Sequence, residues 1–190
     1  MRLYLSSERL GSAPQELVRL LRGRTRVGVV ADAAYRHDPV RRAARIRADL
    51  TDLRALRLEP VELDLAELGD DVDALWVLGG DVLALRAALV DTGADDVVRR
   101  RLAEDSLVYA GYSAGACVLG PHLPLPEPDG SAGLGVIPFT VLPHHGSDRA
   151  DGLRDLFVEQ HIPFIALRDG EAVVVEGDGL RVVGSPAPRS

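Results

Sequence analysis

The feature that most constrains this chain is an unbroken apolar run, Ala74-Leu75-Trp76-Val77-Leu78, cut off by Gly79-Gly80-Asp81. Five apolar residues without polar alternation suit a strand buried on both faces, as the inner strands of a parallel sheet are. Parallel strands need crossover connections, and helical patterns flank this run. Residues 39–56 carry Ala43, Ile46, Leu50 and Leu53 at spacings of three and four, with Arg and Asp filling the rest, so they form an amphipathic helix. Residues 82–90, capped by Asp81, and residues 95–104 give two further helices leading into a strand at 107–110.

The same alternation runs through the first 65 residues. Short apolar runs at 2–6 and 25–31 read as strands, and between them Ser12-Ala13-Pro14-Gln15 has capping-box spacing with Pro in the first helical turn. A strand of moderate quality follows at 61–65. Strands alternating with helices predict a doubly wound α/β domain, a mostly parallel sheet with helices on both faces. After residue 120 the style changes. Residues 121–133, rich in Pro and Gly, read as a loop, followed by a strand at 136–142, a helix at 151–160, and strands at 164–167, 172–176 and 180–183. The last three predict antiparallel hairpins at the sheet edge. No repeat or linker divides the sequence, so residues 1–190 are expected to form a single domain.

Composition narrows the partners. The chain has 29 acidic and 22 basic residues and a net charge of −7, a field that repels phosphate backbones and anionic lipid. Neither nucleic acid nor a membrane is therefore an expected partner. All the cations are arginine, which removes lysine Schiff-base chemistry. Cys117 is the only cysteine and cannot form an internal disulfide, no segment approaches the ~20 apolar residues of a membrane span, and the N-terminus is too briefly apolar for a secretory signal. A cytoplasmic location, as monomer or homodimer, is the expectation, with no cofactor or metal.

The chemistry concentrates where strands end. Gly111-Tyr112-Ser113-Ala114-Gly115 has the G-x-S-x-G form directly after a strand, the setting of a nucleophile elbow, in which small neighbours let a strained serine rise above the sheet edge. Serine needs a general base, and five histidines could supply one. His37, His122 and His161 fall in loops or at a helix end, whereas His144 and His145 follow the 136–142 strand at the edge where sites in open α/β sheets assemble. An oxyanion needs backbone donors. Gly79-Gly80 follows a buried strand and presents an N–H without a Cβ in the way, and the N–H of Ala114 can partner it.

In their order and separation, Leu78-Gly79-Gly80-Asp81, the elbow through Ala116, and the stretch from Gly133 to His144 resemble the serine peptidases of the dipeptidase E type, the aspartyl dipeptidases, with cyanophycinase as a relative. The resemblance covers most of residues 60–185. Such proteins are similar in fold to class I glutamine amidotransferase domains, a flavodoxin-like architecture, with serine in place of cysteine. It implies Ser113 as nucleophile, His144 as base, and the N–H groups of Gly80 and Ala114 as oxyanion hole. By the same pattern an acid followed by glycine after the 164–167 strand matches Asp169 as the third member, with Glu171, Glu127 and Asp129 as rivals. The family usually has an aromatic residue where this chain has His145, so His145 stays beside His144 as a candidate base. An arginine at the start of the following helix holds the substrate's aspartate in aspartyl dipeptidases; Arg149 is the nearest match, with Arg154 behind it. The implied function is hydrolysis of small peptides, dipeptides with an N-terminal aspartate foremost. A serine amidase or esterase of another substrate class, or a non-catalytic small-molecule binding module on the same fold, are the alternatives. Cys117 is expected to pack beneath the elbow.

Overall fold

The computed structural model of the chain describes residues 1–35, 37–126 and 132–187. The strands are β1 (Arg2–Ser6), β2 (Arg26–Val30), β3 (Glu59–Glu62), β4 (Ala74–Val77), β5 (Val108–Tyr112), β6 (Thr140–Leu142), β7 (Phe164–Ala166), β8 (Ala172–Glu176) and β9 (Gly179–Val183). The helices are α1 (Gln15–Leu21), α2 (Pro39–Ala55), α3 (Val82–Asp91), α4 (Ala94–Ala103), α5 (Ala114–Cys117) and α6 (Asp148–Glu159).

One seven-stranded sheet has the order β3-β2-β4-β5-β1-β8-β9, parallel from β3 through β1 and antiparallel from β1 to β9. The run β3-β2-β4-β5 has the connectivity of the first four positions in a flavodoxin-like sheet, and the N-terminal strand β1 fills the fifth. Side-chain alternation then serves two cores. Leu3, Leu5, Leu75, Val77 and Tyr109 pack with Leu85, Leu89, Val98 and Leu102 of α3 and α4. Tyr4, Val27, Val29, Trp76 and Val108 pack with Leu17, Leu20, Leu21, Ile46 and Leu53 of α1 and α2.

Register fixes what meets at the C-terminal edge. Leu5 and Val77 both pair Gly111, and Ser6 pairs Tyr112. The residues just after β1, β4 and β5, namely Ser7, Gly79-Gly80 and Ser113, therefore emerge side by side.

Several boundaries differ from the expectations. The strand expected at 61–65 is β3, shifted to Glu59–Glu62, because Asp64 accepts the Ala66 N–H at 2.9 Å and starts a 3₁₀ turn over Leu65–Glu67. The strand expected at 136–142 is only Thr140–Leu142, since the Val136 and Ile137 N–H groups turn back to the Leu119 carbonyl. The strand expected at 164–167 leaves the main sheet: β7 pairs in parallel with β6 in a separate two-stranded sheet. Only β8 and β9 form the antiparallel edge. Ser12 does not cap α1; its hydroxyl instead donates to the Gly170 carbonyl at 3.0 Å and accepts from the Ser185 N–H. Helix α6 begins three residues before the expected 151, because Ser147 accepts the Ala150 N–H and caps it.

Candidate active site

Ser113 sits between β5 and α5 with φ 49° and ψ −115°, a left-handed conformation rare for a residue with a side chain. Its neighbours make room. A Cβ on Gly111 would lie 2.9 Å from the Gly115 backbone, and one on Gly115 would run into the Val77 carbonyl. The turn is fixed by the Ser113 N–H donating to Ser6 O at 3.2 Å and by the Ser113 carbonyl accepting from Ala116 and Cys117.

His144 follows β6 and also has positive φ, 57°. Its Nε2 lies 3.3 Å from Ser113 Oγ and its Nδ1 2.7 Å from Asp169 Oδ1. A carboxylate only accepts, so the Nδ1 bond places the ring proton there and leaves the Nε2 lone pair facing the serine hydroxyl. Asp169 follows β7, the partner of β6, which brings the two side chains together. Ser7, fully buried after β1, ties the pair to the main sheet: its hydroxyl donates to Asp169 Oδ1 at 2.8 Å and accepts the His144 backbone N–H at 2.8 Å.

The rival positions lie elsewhere. His145 turns toward α6, its Nδ1 3.0 Å from Asp151 Oδ1 but outside hydrogen-bond alignment. The Glu171 carboxylate accepts the Arg168 N–H at 2.8 Å. Glu127 and Asp129 lie outside the described residues. Arg154 pairs with Asp155 at 2.7 Å. Arg149 is exposed in the first turn of α6, with no hydrogen bond or ion pair among the described residues, and lines the cavity beside Ser113.

Gly80 has φ 145°, and a Cβ there would collide with the Ala33 carbonyl. Neither its N–H nor that of Ala114 makes a hydrogen bond among the described residues. Asp81 caps α3 as expected, accepting from Leu83 and Ala84 at 3.0 Å each. Two cavities meet at Gly80, Ser113 and His144. One, of about 130 Å³, runs along Ala114, Cys117 and Leu153 to Arg149. The other, of about 360 Å³, runs along Gly79 and Tyr112 to Arg45. Among the described residues no group of three or more His, Cys, Asp or Glu could hold a metal ion, and no helix is long and apolar enough to cross a membrane.

The family model of peptidase family S51 matches residues 4–183, from within β1 to the end of β9. The chain belongs to peptidase family S51. Among its relatives, a peptidase E of Streptomyces coelicolor is 33% identical over 57% of this chain, which spans about half (51%) of that protein's length. A peptidase E of Shewanella denitrificans is 26% identical over 96% of this chain and 87% of its own length. A peptidase from an acI-B1 Actinobacterium, whose crystal structure is known, shares the fold with TM-score 0.79 over 97% of this chain and 87% of that one, at 21% identity.

Around the candidate site of this S51 chain lie residues that sequence reasoning passed over. Ser7 is one; its signal was its place directly after a parallel strand. A second set lies under the elbow. Asp49, 1% exposed, accepts the Trp76 Nε1–H at 3.1 Å, and Arg45 Nε donates to the Tyr112 hydroxyl at 2.9 Å. Burial pushes the Asp49 carboxyl above the usual carboxylate range and the Tyr112 phenol above the usual tyrosine range. In the helical pattern Asp49 reads as one of the polar residues between Ile46 and Leu53, and nothing there marks it as interior.

Proposed function

We propose that this chain is a cofactor-free serine peptidase of small peptides, working through Ser113, His144 and Asp169. The observation that carries this reading is the unbroken run of contacts from Ser113 Oγ through the His144 ring to Asp169, at 3.3 and 2.7 Å. Ser113 Oγ attacks the amide carbonyl while His144 Nε2 takes its proton. The oxyanion that forms is met by the Gly80 and Ala114 N–H groups, which have no hydrogen-bond partner among the described residues. His144 hands the proton to the leaving nitrogen as the C–N bond breaks, giving an acyl-enzyme and a free amine. Water, deprotonated by the same ring, then releases the acid and restores Ser113. Asp169 holds the ring's orientation and stabilises its charged form.

For substrate class, the cavity ending at Arg149 takes the acyl residue. An exposed guanidinium without a partner among the described residues suits a carboxylate side chain, bound bidentately, so peptides with an N-terminal aspartate are favoured. Kinship with proteins named peptidase E supports a peptide as the substrate.

The test is hydrolysis of Asp-Leu, Glu-Leu, Ala-Leu and Arg-Leu by the native chain and by Ser113→Ala, with fluorophosphonate labelling of both. Cleavage of Asp-Leu that vanishes in the variant is expected. Labelling without peptide cleavage would overturn the substrate class and turn attention to other amides and esters. Absence of both would overturn catalysis in favour of a binding module.

A further inference from the structure

The larger cavity beside Ser113 receives no part of the substrate in the reading above; Arg45 is the one arginine that lines it among the described residues, with the acids Glu8 and Asp81 also on its wall. Arg45, on α2, has a three-quarters buried side chain. Its guanidinium carbon sits 5.3 Å from the centroid of the Tyr112 ring, and its Nε–H is held by the Tyr112 hydroxyl at 2.9 Å. The Asp49 carboxylate approaches the same Nε edge at 3.6 Å. Only one of the five N–H donors of Arg45 is therefore engaged among the described residues; the two Nη groups have no partner there. The ring contact and the Nε bond fix the plane of the guanidinium, so its Nη edge is oriented before any ligand arrives. Such an edge matches the two oxygens of a carboxylate.

The position of this cavity gives the edge a role. It shares Gly80, Ser113 and His144 with the cavity that leads to Arg149. A peptide bond held over Ser113 with its acyl residue toward Arg149 must send the amine-side residue toward Arg45. In a dipeptide that residue ends in a carboxylate only one carbon from the scissile nitrogen.

We propose that Arg45 forms a carboxylate subsite for the residue on the leaving side of the scissile bond, set in place by Tyr112. This rests on the peptidase reading of Ser113 and on the acyl residue lying toward Arg149. The carboxylate can be the α-carboxylate of a dipeptide or an acidic side chain, and the arms of the test separate the two.

The experiment measures binding by calorimetry to Ser113→Ala, which cannot turn substrate over, with and without Arg45→Gln. The ligands are Asp-Leu, its C-terminal amide Asp-Leu-NH2, and Asp-Asp-NH2. Asp-Leu is expected to bind at least about 10-fold more tightly than its amide, and Arg45→Gln is expected to shrink that ratio to about two or less. Asp-Asp-NH2 binding as tightly as Asp-Leu would assign the subsite to a side-chain carboxylate. Equal binding of Asp-Leu and both amides to Ser113→Ala overturns the subsite while leaving the peptidase reading intact. Failure of all three ligands to bind overturns both. Should Arg45→Gln not fold, a kcat/KM for Asp-Leu no higher than that for Asp-Leu-NH2 in the native chain overturns the subsite.

Discussion

Ser7 and Asp169, 162 positions apart in the chain, meet at 2.8 Å, and the same Ser7 hydroxyl accepts the His144 backbone N–H. The contact joins two sheets. Ser7 belongs to the end of β1 in the main sheet, while His144 and Asp169 follow the small β6–β7 pair. It holds the proposed base through its backbone and the proposed acid through its carboxylate, so both are positioned against the strand end beside Ser113. Ser7→Ala should therefore lower kcat with little change in KM. A hydrogen bond to a charged group contributes about 1.5–3 kcal/mol, so the expected loss is about 10- to 100-fold, read from steady-state kinetics on Asp-Leu. A change confined to KM would place Ser7 outside the proposed relay.

Asp169→Asn tests the other side of that contact. An asparagine that turns its amide N–H toward Nδ1 moves the ring proton to Nε2, where it no longer accepts from Ser113. The expected loss in kcat is roughly 10²- to 10⁴-fold with the thermal midpoint little moved. Activity within a few fold of the native chain would remove Asp169 from the mechanism.

These residues differ in how far they could be read from the sequence. Ser113 was legible because a strained turn after a buried strand demands small neighbours, and Gly111 and Gly115 leave a pattern. The parallel core was legible through runs such as residues 74–78, which no other environment would bury so completely. The β6–β7 pair was not: three-residue strands carry too little periodicity to declare which sheet they join. Asp169-Gly170 reads equally as a turn, and only the pairing of β7 with β6 brings it to His144. Ser7 left only its place after a strand as a signal, and Arg45 and Asp49 left none, for a related reason. Each is a polar residue whose importance comes from partners far away in the chain, such as Asp49 with Trp76 at a separation of 27 and Arg45 with Tyr112 at a separation of 67.

Gly80→Ala should damage the site through the backbone. At φ 145° an added Cβ meets the Ala33 carbonyl, so the loop must move and carry the Gly80 N–H with it. Loss of one oxyanion donor costs about 3–4 kcal/mol, and kcat should fall by at least about 100-fold. Circular dichroism and the thermal midpoint separate a displaced donor from an unfolded chain; full activity in a folded variant would exclude Gly80 from the oxyanion hole.

Cys117 lines the Arg149 cavity, but its thiol is buried and bonded to the Val141 carbonyl at 3.3 Å. Burial pushes its pKa up to about 12, so it is a neutral thiol at pH 8. Iodoacetamide at pH 8 should leave it unmodified until denaturant is added, and Cys117→Ala should keep hydrolysis within a few fold. Rapid alkylation of the native chain would contradict this assignment.

Far from the site, Glu16 accepts from Arg181 at 2.6 Å and from Arg19 at 2.8 Å, linking α1 to the edge strand β9. Those bonds lower its pKa to about 2. For an acid with a depressed folded pKa, the stabilisation is complete above the ordinary glutamate value of 4.5 and is lost as pH falls through about 2. The pairs are at the surface, where screening holds such contributions below about 1 kcal/mol. Glu16→Gln should therefore melt slightly below the native chain at pH 7, with the gap closing between pH 4.5 and 2 and shrinking in 1 M salt. A gap that persists unchanged at pH 2 would mean that packing of the side chain, and not its charge, ties α1 to β9.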